Sequence, residues 1–167
     1  MKQPKAKIID HPLSRATDSS WKQFYDDKLQ WEEIEKDVKR TRVELMFFQM
    51  AVDPSKNSQE EVKRLEMQAA TKKSDLSSDD IANYIESHAD CMARILFVYA
   101  KLNKGIRYVQ GMNEVLAILY YCFWKFGSDS VISTQYMESD LFFCFSNLMS
   151  EIKDGFLRDL DKEDSGI

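Results

Sequence analysis

A chain of 167 residues is long enough for one domain or part of one, and its 44% hydrophobic and 12% aromatic content is ample for a core. The formal net charge of -5 argues against nucleic acid as the partner. Cys91, Cys122 and Cys144 stand singly inside apolar segments without a CxxC pair, and His11 and His88 complete no ligand set, so the thiols read as small buried hydrophobes in a reducing compartment, with no metal and no cofactor expected.

Residues 1–17, with Pro4 and Pro12 among scattered polar side chains, read as an extended lead-in. The first residues, Met1-Lys2-Gln3-Pro4-Lys5, lack the apolar stretch of a signal peptide. No run in the chain approaches the length of a membrane span, and the expectation is a soluble, intracellular protein. Asp18-Ser19-Ser20 offers an N-cap ahead of Trp21, after which Phe24, Tyr25 and Leu29 keep partial helical spacing. Trp31, Ile34 and Val38 share one helix face. Asp37 and Arg40, three apart, either form a solvated surface pair or hold a guanidinium ready for an anion; the local sequence by itself favours the first. Val43 to Phe48 is apolar and short, a helix turn or an extended segment against the core.

Residues 53–80 are the most polar stretch, an insertion or long loop in which Ser58-Gln59-Glu60-Glu61 has the form of a capping box before a thin apolar face. Ser77-Ser78-Asp79-Asp80 is expected to cap the clearest helix, whose apolar positions run Ile81, Tyr84, Ile85, His88, Met92, Ile95, Leu96 and Tyr99. His88 on that face reads as a hydrogen-bonded core histidine. The turn Gly105-Ile106-Arg107-Tyr108-Val109-Gln110-Gly111 follows, with Gly105 expected in the left-handed conformation that ends a helix. Loops pinned between rigid elements hold functional side chains, although a plain helix–helix connection has the same appearance. Val115 to Phe126 is apolar nearly all round and is expected at the centre of the fold, ending at Gly127. A last helix from about Ser139 would bury Leu141, Phe142, Phe145, Leu148, Met149 and Ile152, ahead of a polar tail from Arg158. The methionines read as core filler. No period-2 strand and no βαβ spacing stands out, so the class is all-α, with about five to seven helices.

The chemistry is informative through what is missing. There is no GxxxxGK[ST] or GxGxxG loop, no nucleophile near either histidine and no zinc spacing. If Arg40 and Gln110 do chemistry, they do it on a site that another molecule supplies.

Two short patterns lead further. Leu96-x-x-Tyr99-Ala100-x-x-Asn103, followed by Tyr108-x-Gln110-Gly111-Met112-Asn113, resembles the third signature of TBC-domain Rab GTPase-activating proteins. Ile34-x-x-Asp37-x-x-Arg40-Thr41 resembles their second, and Ser139 to Met149 is similar to the family's continuation. The resemblance runs from about Trp21 to the C-terminus, with 53–80 as a variable insertion. It implies an all-α, N-terminal part of a TBC domain over residues 18–167 and a Rab-family small GTPase in its GTP-bound state as partner. It also implies a dual-finger mechanism, with Arg40 as arginine finger and Gln110 as glutamine finger inserted in trans, so the chain would activate a GTPase rather than be an enzyme with its own centre. Asp37, Thr41, Tyr108, Gly111 and Asn113 would support the fingers. Membrane contact would come only through the GTPase, in the cytoplasm and peripheral to endomembranes, with a role in vesicle trafficking. The alternative is a non-catalytic helical scaffold that binds a small GTPase or another partner.

Three departures accompany the resemblance. Arg42 and Val43 stand where the family usually has an aromatic or histidine and often a proline, which puts the backbone after the finger in question. Trp21 lacks the arginine of the first signature. The family's C-terminal half does not follow within the chain, so a fragment carrying both fingers, with apolar surface left open, is the expectation.

Overall fold

The computed structural model describes residues 11–12, 19–52, 86–127 and 136–163. The 53–80 insertion with its Ser58 capping box, the Ser77–Asp80 cap and most of the lead-in lie outside the described residues. Those described form four α-helices and one short 3₁₀ turn, with no strand among them: α1 (Ser20–Val38), the turn Met46–Gln49, α2 (His88–Leu102), α3 (Met112–Gly127) and α4 (Met137–Glu163). The all-α class is as read from the sequence.

Helix α1 starts where Ser19, in extended conformation, turns its hydroxyl to the backbone N–H of Lys22. Its buried face is Trp31, Ile34 and Val38, the face that the spacing predicts. Trp21, Phe24, Tyr25 and Leu29 are exposed instead. Trp31 packs edge-on against Phe97 of α2 (5.4 Å between centroids), and Lys101 of α2 pairs with Asp27 of α1 at 2.6 Å.

Helix α2 is the hub, in contact with every other element and with ten of its fifteen residues buried. Its start differs from expectation. The helix begins at His88, not near residue 80, because Ser87 and Asp90 form a reciprocal capping box. Just before it, Ala51 and Ser87 form an isolated antiparallel bridge, with Val52 N–H donating to Glu86 and His88 N–H to Met50. An extended residue at 87 cannot continue a helix from 81.

Burial on α2 is specific as well as apolar. His88 shares a hydrogen bond with the Tyr120 hydroxyl at 3.0 Å and stacks on Phe47 at 4.3 Å, so it is the core histidine expected. Its burial lowers its pKa from 6.5 to about 4. Arg94 is gripped by Glu138 at 2.6 Å and by Glu86, tying α4 and the bridge segment to α2. Burial alone would weaken its charge, but the two carboxylates more than offset that. Tyr99 meets Phe145 edge-on at 5.1 Å.

The helix expected at the centre, α3, is in fact peripheral on one side. Leu116, Ala117 and Tyr120 are buried, but Ile118 is 58% and Phe126 63% exposed. An all-round apolar sequence marks a helix with several partners, and among the described residues those of α3 leave Ile118 and Phe126 uncovered. Helix α4 buries Leu141, Phe145 and Met149 as expected; Leu148 and Phe143 face outward. It begins at Met137 and continues to Glu163, into the residues read as a polar tail. Cys91 is buried and its thiol is pushed up to about 12, chiefly by burial, whereas Cys122 and Cys144 lie on outer faces and are exposed, contrary to the expectation for all three. Met92, Met112, Met137 and Met149 do fill the core; Met46 and Met50 are exposed.

Candidate functional site

The two sequence patterns come together around one buried polar cluster. At the end of α1 the backbone N–H of Arg40 donates to the carbonyl of Asp37 at 3.0 Å, and that of Thr41 to Val38. The chain then turns sharply at Arg42, whose φ of 46° lies in the left-handed region. On the other side, α2 ends at Leu102 with Asn103 as its cap, and the loop reverses at Arg107 (φ 60°) and Gly111 (φ 99°) before α3. Gly105 is not the left-handed residue that the sequence leads one to expect. Arg107, a non-glycine residue, takes that conformation, and Gly111 has a φ that only glycine adopts without strain.

Asn113, in the first turn of α3, joins the two segments. Its side-chain N–H donates to Thr41 Oγ1 at 2.8 Å, and Thr41 Oγ1 donates in turn to the Asp37 carbonyl at 3.0 Å. Its oxygen accepts from the backbone N–H of Gly111 at 3.0 Å and lies 3.2 Å from the Tyr108 hydroxyl. That hydroxyl donates to Asp37 Oδ2 at 2.9 Å. Thr41, Asn113 and Tyr108 are 1%, 6% and 7% exposed, so water hardly competes for these bonds. Burial first, then the bond and charge of Asp37, raise the Tyr108 pKa well above that of a free phenol and keep it a donor.

Asp37, Thr41, Tyr108, Gly111 and Asn113 are thus all in one network. One expected detail is different: among the described residues no ion pair joins Asp37 to Arg40. The carboxylate is taken by Tyr108, and Asp37 holds Arg40 through the backbone. Arg40 and Gln110 themselves are exposed, and each directly precedes a member of the network, Thr41 and Gly111. Sequence reading missed two participants. Arg42 Nε lies 2.8 Å from Glu114 Oε2, bridging the same two segments on the surface. No periodicity or local motif marks that pair, because its partners lie on separate elements.

A profile of the Rab-GTPase-TBC domain (RabGAP-TBC) matches residues 51–165, more than half of the chain. The chain belongs to the Rab-GTPase-TBC domain family. It is 36% identical to TBC1 domain family member 13 of Homo sapiens over 95% of its own length and 46% of that protein's. It is 30% identical to a TBC domain-containing protein of Schizosaccharomyces pombe over 95% of its length and 38% of that protein's. Similarity extends to the GTPase-activating protein GYP7 of Debaryomyces hansenii, 29% identical over 75% of this chain and 16% of that protein. This TBC chain therefore spans about half or less of the relatives that it matches. No solved structure matches it. The profile covers the Gln110 loop but starts after Arg40; the Arg40 segment falls within the longer alignments to whole relatives, which reach 95% of the chain. Among the described residues no helix is long and apolar enough to cross a membrane.

Proposed function

We propose that this chain is the catalytic part of a GTPase-activating protein for a Rab-family small GTPase, which it meets in the GTP-bound state and to which it lends Arg40 and Gln110. The observation that carries this reading is the buried Asp37–Tyr108–Asn113–Thr41 network. It ties the segment before one exposed cation to the loop around one exposed amide.

The chemistry follows from the two side chains. Transfer of the terminal phosphoryl group of GTP to water develops negative charge on oxygens that a planar, always-charged guanidinium stabilises in a site closed to solvent. A cation supplied in trans contributes about 10³–10⁵ in rate. Arg40 arrives without an ion pair among the described residues, so none of their carboxylates has to be displaced when it enters the nucleotide site. The Gln110 amide is both donor and acceptor and can hold the attacking water while bonded to the partner's backbone. The network's role is to keep the two approach directions fixed, since rate is steeply sensitive to placement. Metal ion and nucleotide both belong to the GTPase.

The test is single-turnover GTP hydrolysis by a panel of Rab GTPases with the full chain. Arg40→Ala and Gln110→Ala are each expected to cut the stimulated rate at least about 100-fold with folding unchanged. Stimulation equal to the parent in both variants overturns the finger assignment. Binding without any stimulation by the parent assigns the chain to the scaffold class instead.

A further inference from the structure

We propose that the Arg42–Glu114 ion pair is a strap that sets how the Arg40 turn lies against the Gln110 loop, which makes Arg42 and Glu114 positioning residues; this rests on the function proposed above. Arg42 is two residues past Arg40, and Glu114 is four past Gln110, in the first turn of α3. Their charged atoms are 2.8 Å apart, while the nearer-in-sequence Glu44 lies at 3.9 Å from the same guanidinium.

An ion pair with both side chains 44% exposed would ordinarily carry little weight. Three features set this one apart. It spans two elements instead of one helix face. It is a further attachment between the same segments, at the surface outside the buried Thr41–Asn113 and Tyr108–Asp37 bonds. The two buried bonds hold the chain at Asp37 and Thr41, before the turn, whereas the ion pair holds it at the turn itself. Finally, Arg42 holds a left-handed φ of 46°, which side-chain-bearing residues keep only where their surroundings over-determine the backbone. The strap also has an electrostatic effect. It neutralises the guanidinium nearest Arg40 in sequence, which would otherwise compete with Arg40 for a triphosphate.

The experiment compares kcat and KM for stimulated hydrolysis on a GTP-loaded Rab that the parent activates. The variants are Arg42→Gln, Glu114→Gln, the charge exchange Arg42→Glu with Glu114→Arg, and Arg42→Gly, which keeps the left-handed backbone but has no charge. Each single variant is expected to lose about 10-fold in kcat with KM little changed, because small misplacements of a reacting group are that costly. Arg42→Gly should fall as far as Arg42→Gln, and the charge exchange should recover most of the loss. Without any GTPase, amide hydrogen exchange over residues 105–111 should quicken about 10-fold in Glu114→Gln while α2 is unaffected. Unchanged loop exchange, or a charge exchange no better than its singles, overturns the strap. A parent that stimulates no Rab, or an Arg40→Ala variant as active as the parent, overturns the function instead, and loop exchange still decides the strap.

Discussion

Replacing Asn113 with alanine removes the joint between the two patterns. The change deletes the bond to Thr41 at 2.8 Å, the bond from Gly111 N–H at 3.0 Å and the 3.2 Å contact with Tyr108. Tyr108 keeps Asp37, and Thr41 keeps its donation to the Asp37 carbonyl. The loss is therefore about two ordinary bonds plus one half-buried N–H without an acceptor, roughly 2–4 kcal/mol. Asn113→Asp is the sharper probe. It keeps shape and acceptor but brings a second, buried carboxylate to a phenol already held by Asp37. Near neutral pH it should be less stable than the alanine variant, since like charges at a buried site are worse than a gap. Urea unfolding followed by the fluorescence of buried Trp31 measures both. With a slope of about 1–3 kcal/mol/M, the midpoint of the alanine variant should fall by about 1–2 M. An alanine variant within about 0.5 kcal/mol of the parent, or an aspartate variant more stable than alanine, would refute the network as the element joining the segments.

His88 supplies a pH dependence. The unfolded chain takes up its proton below 6.5 and the folded one only near 4, so the stability is full above that window and is lost as pH falls through it. The loss is at most about 3 kcal/mol, and urea midpoints near neutral and near acidic pH should converge in His88→Gln relative to the parent. The loop glycines should behave oppositely. Gly111→Ala, at φ 99°, should cost about 1–3 kcal/mol in the same assay. Gly105→Ala meets nothing within 4 Å and should be neutral or up to about 1 kcal/mol stabilising.

What could be read from the chain was what repeats locally. Trp31, Ile34 and Val38 gave their helix face away by spacing, and Tyr108, Gln110, Gly111 and Asn113 by resemblance. Spacing tells which face is apolar, not what covers it, and so it misjudged α3, Leu148, Cys122 and Cys144. The start of α2 is legible in Ser87-x-x-Asp90, a capping box, although the serines and aspartates at 77–80 are more conspicuous. The Thr41–Asn113 bond spans 72 positions and the Arg42–Glu114 pair links the same two segments, so nothing in either neighbourhood announces them. Asp37 is the instructive residue. Its proximity to Arg40 in sequence implies an ion pair, yet a phenol from the far segment captures the carboxylate, because a buried hydroxyl that water cannot reach gains more from a charged acceptor than a guanidinium that water can solvate.

The stitch between Ala51 and Ser87 has a bearing on how such a chain is held. It fastens positions 50–52 to 86–88 and so makes a neck in the chain. A chain tied at such a neck has its two ends set by backbone hydrogen bonds and not by the number of residues between them. Arg40 lies before this neck and Gln110 beyond it, so the bridge is a further fixed point, besides the polar joint, between the two exposed side chains.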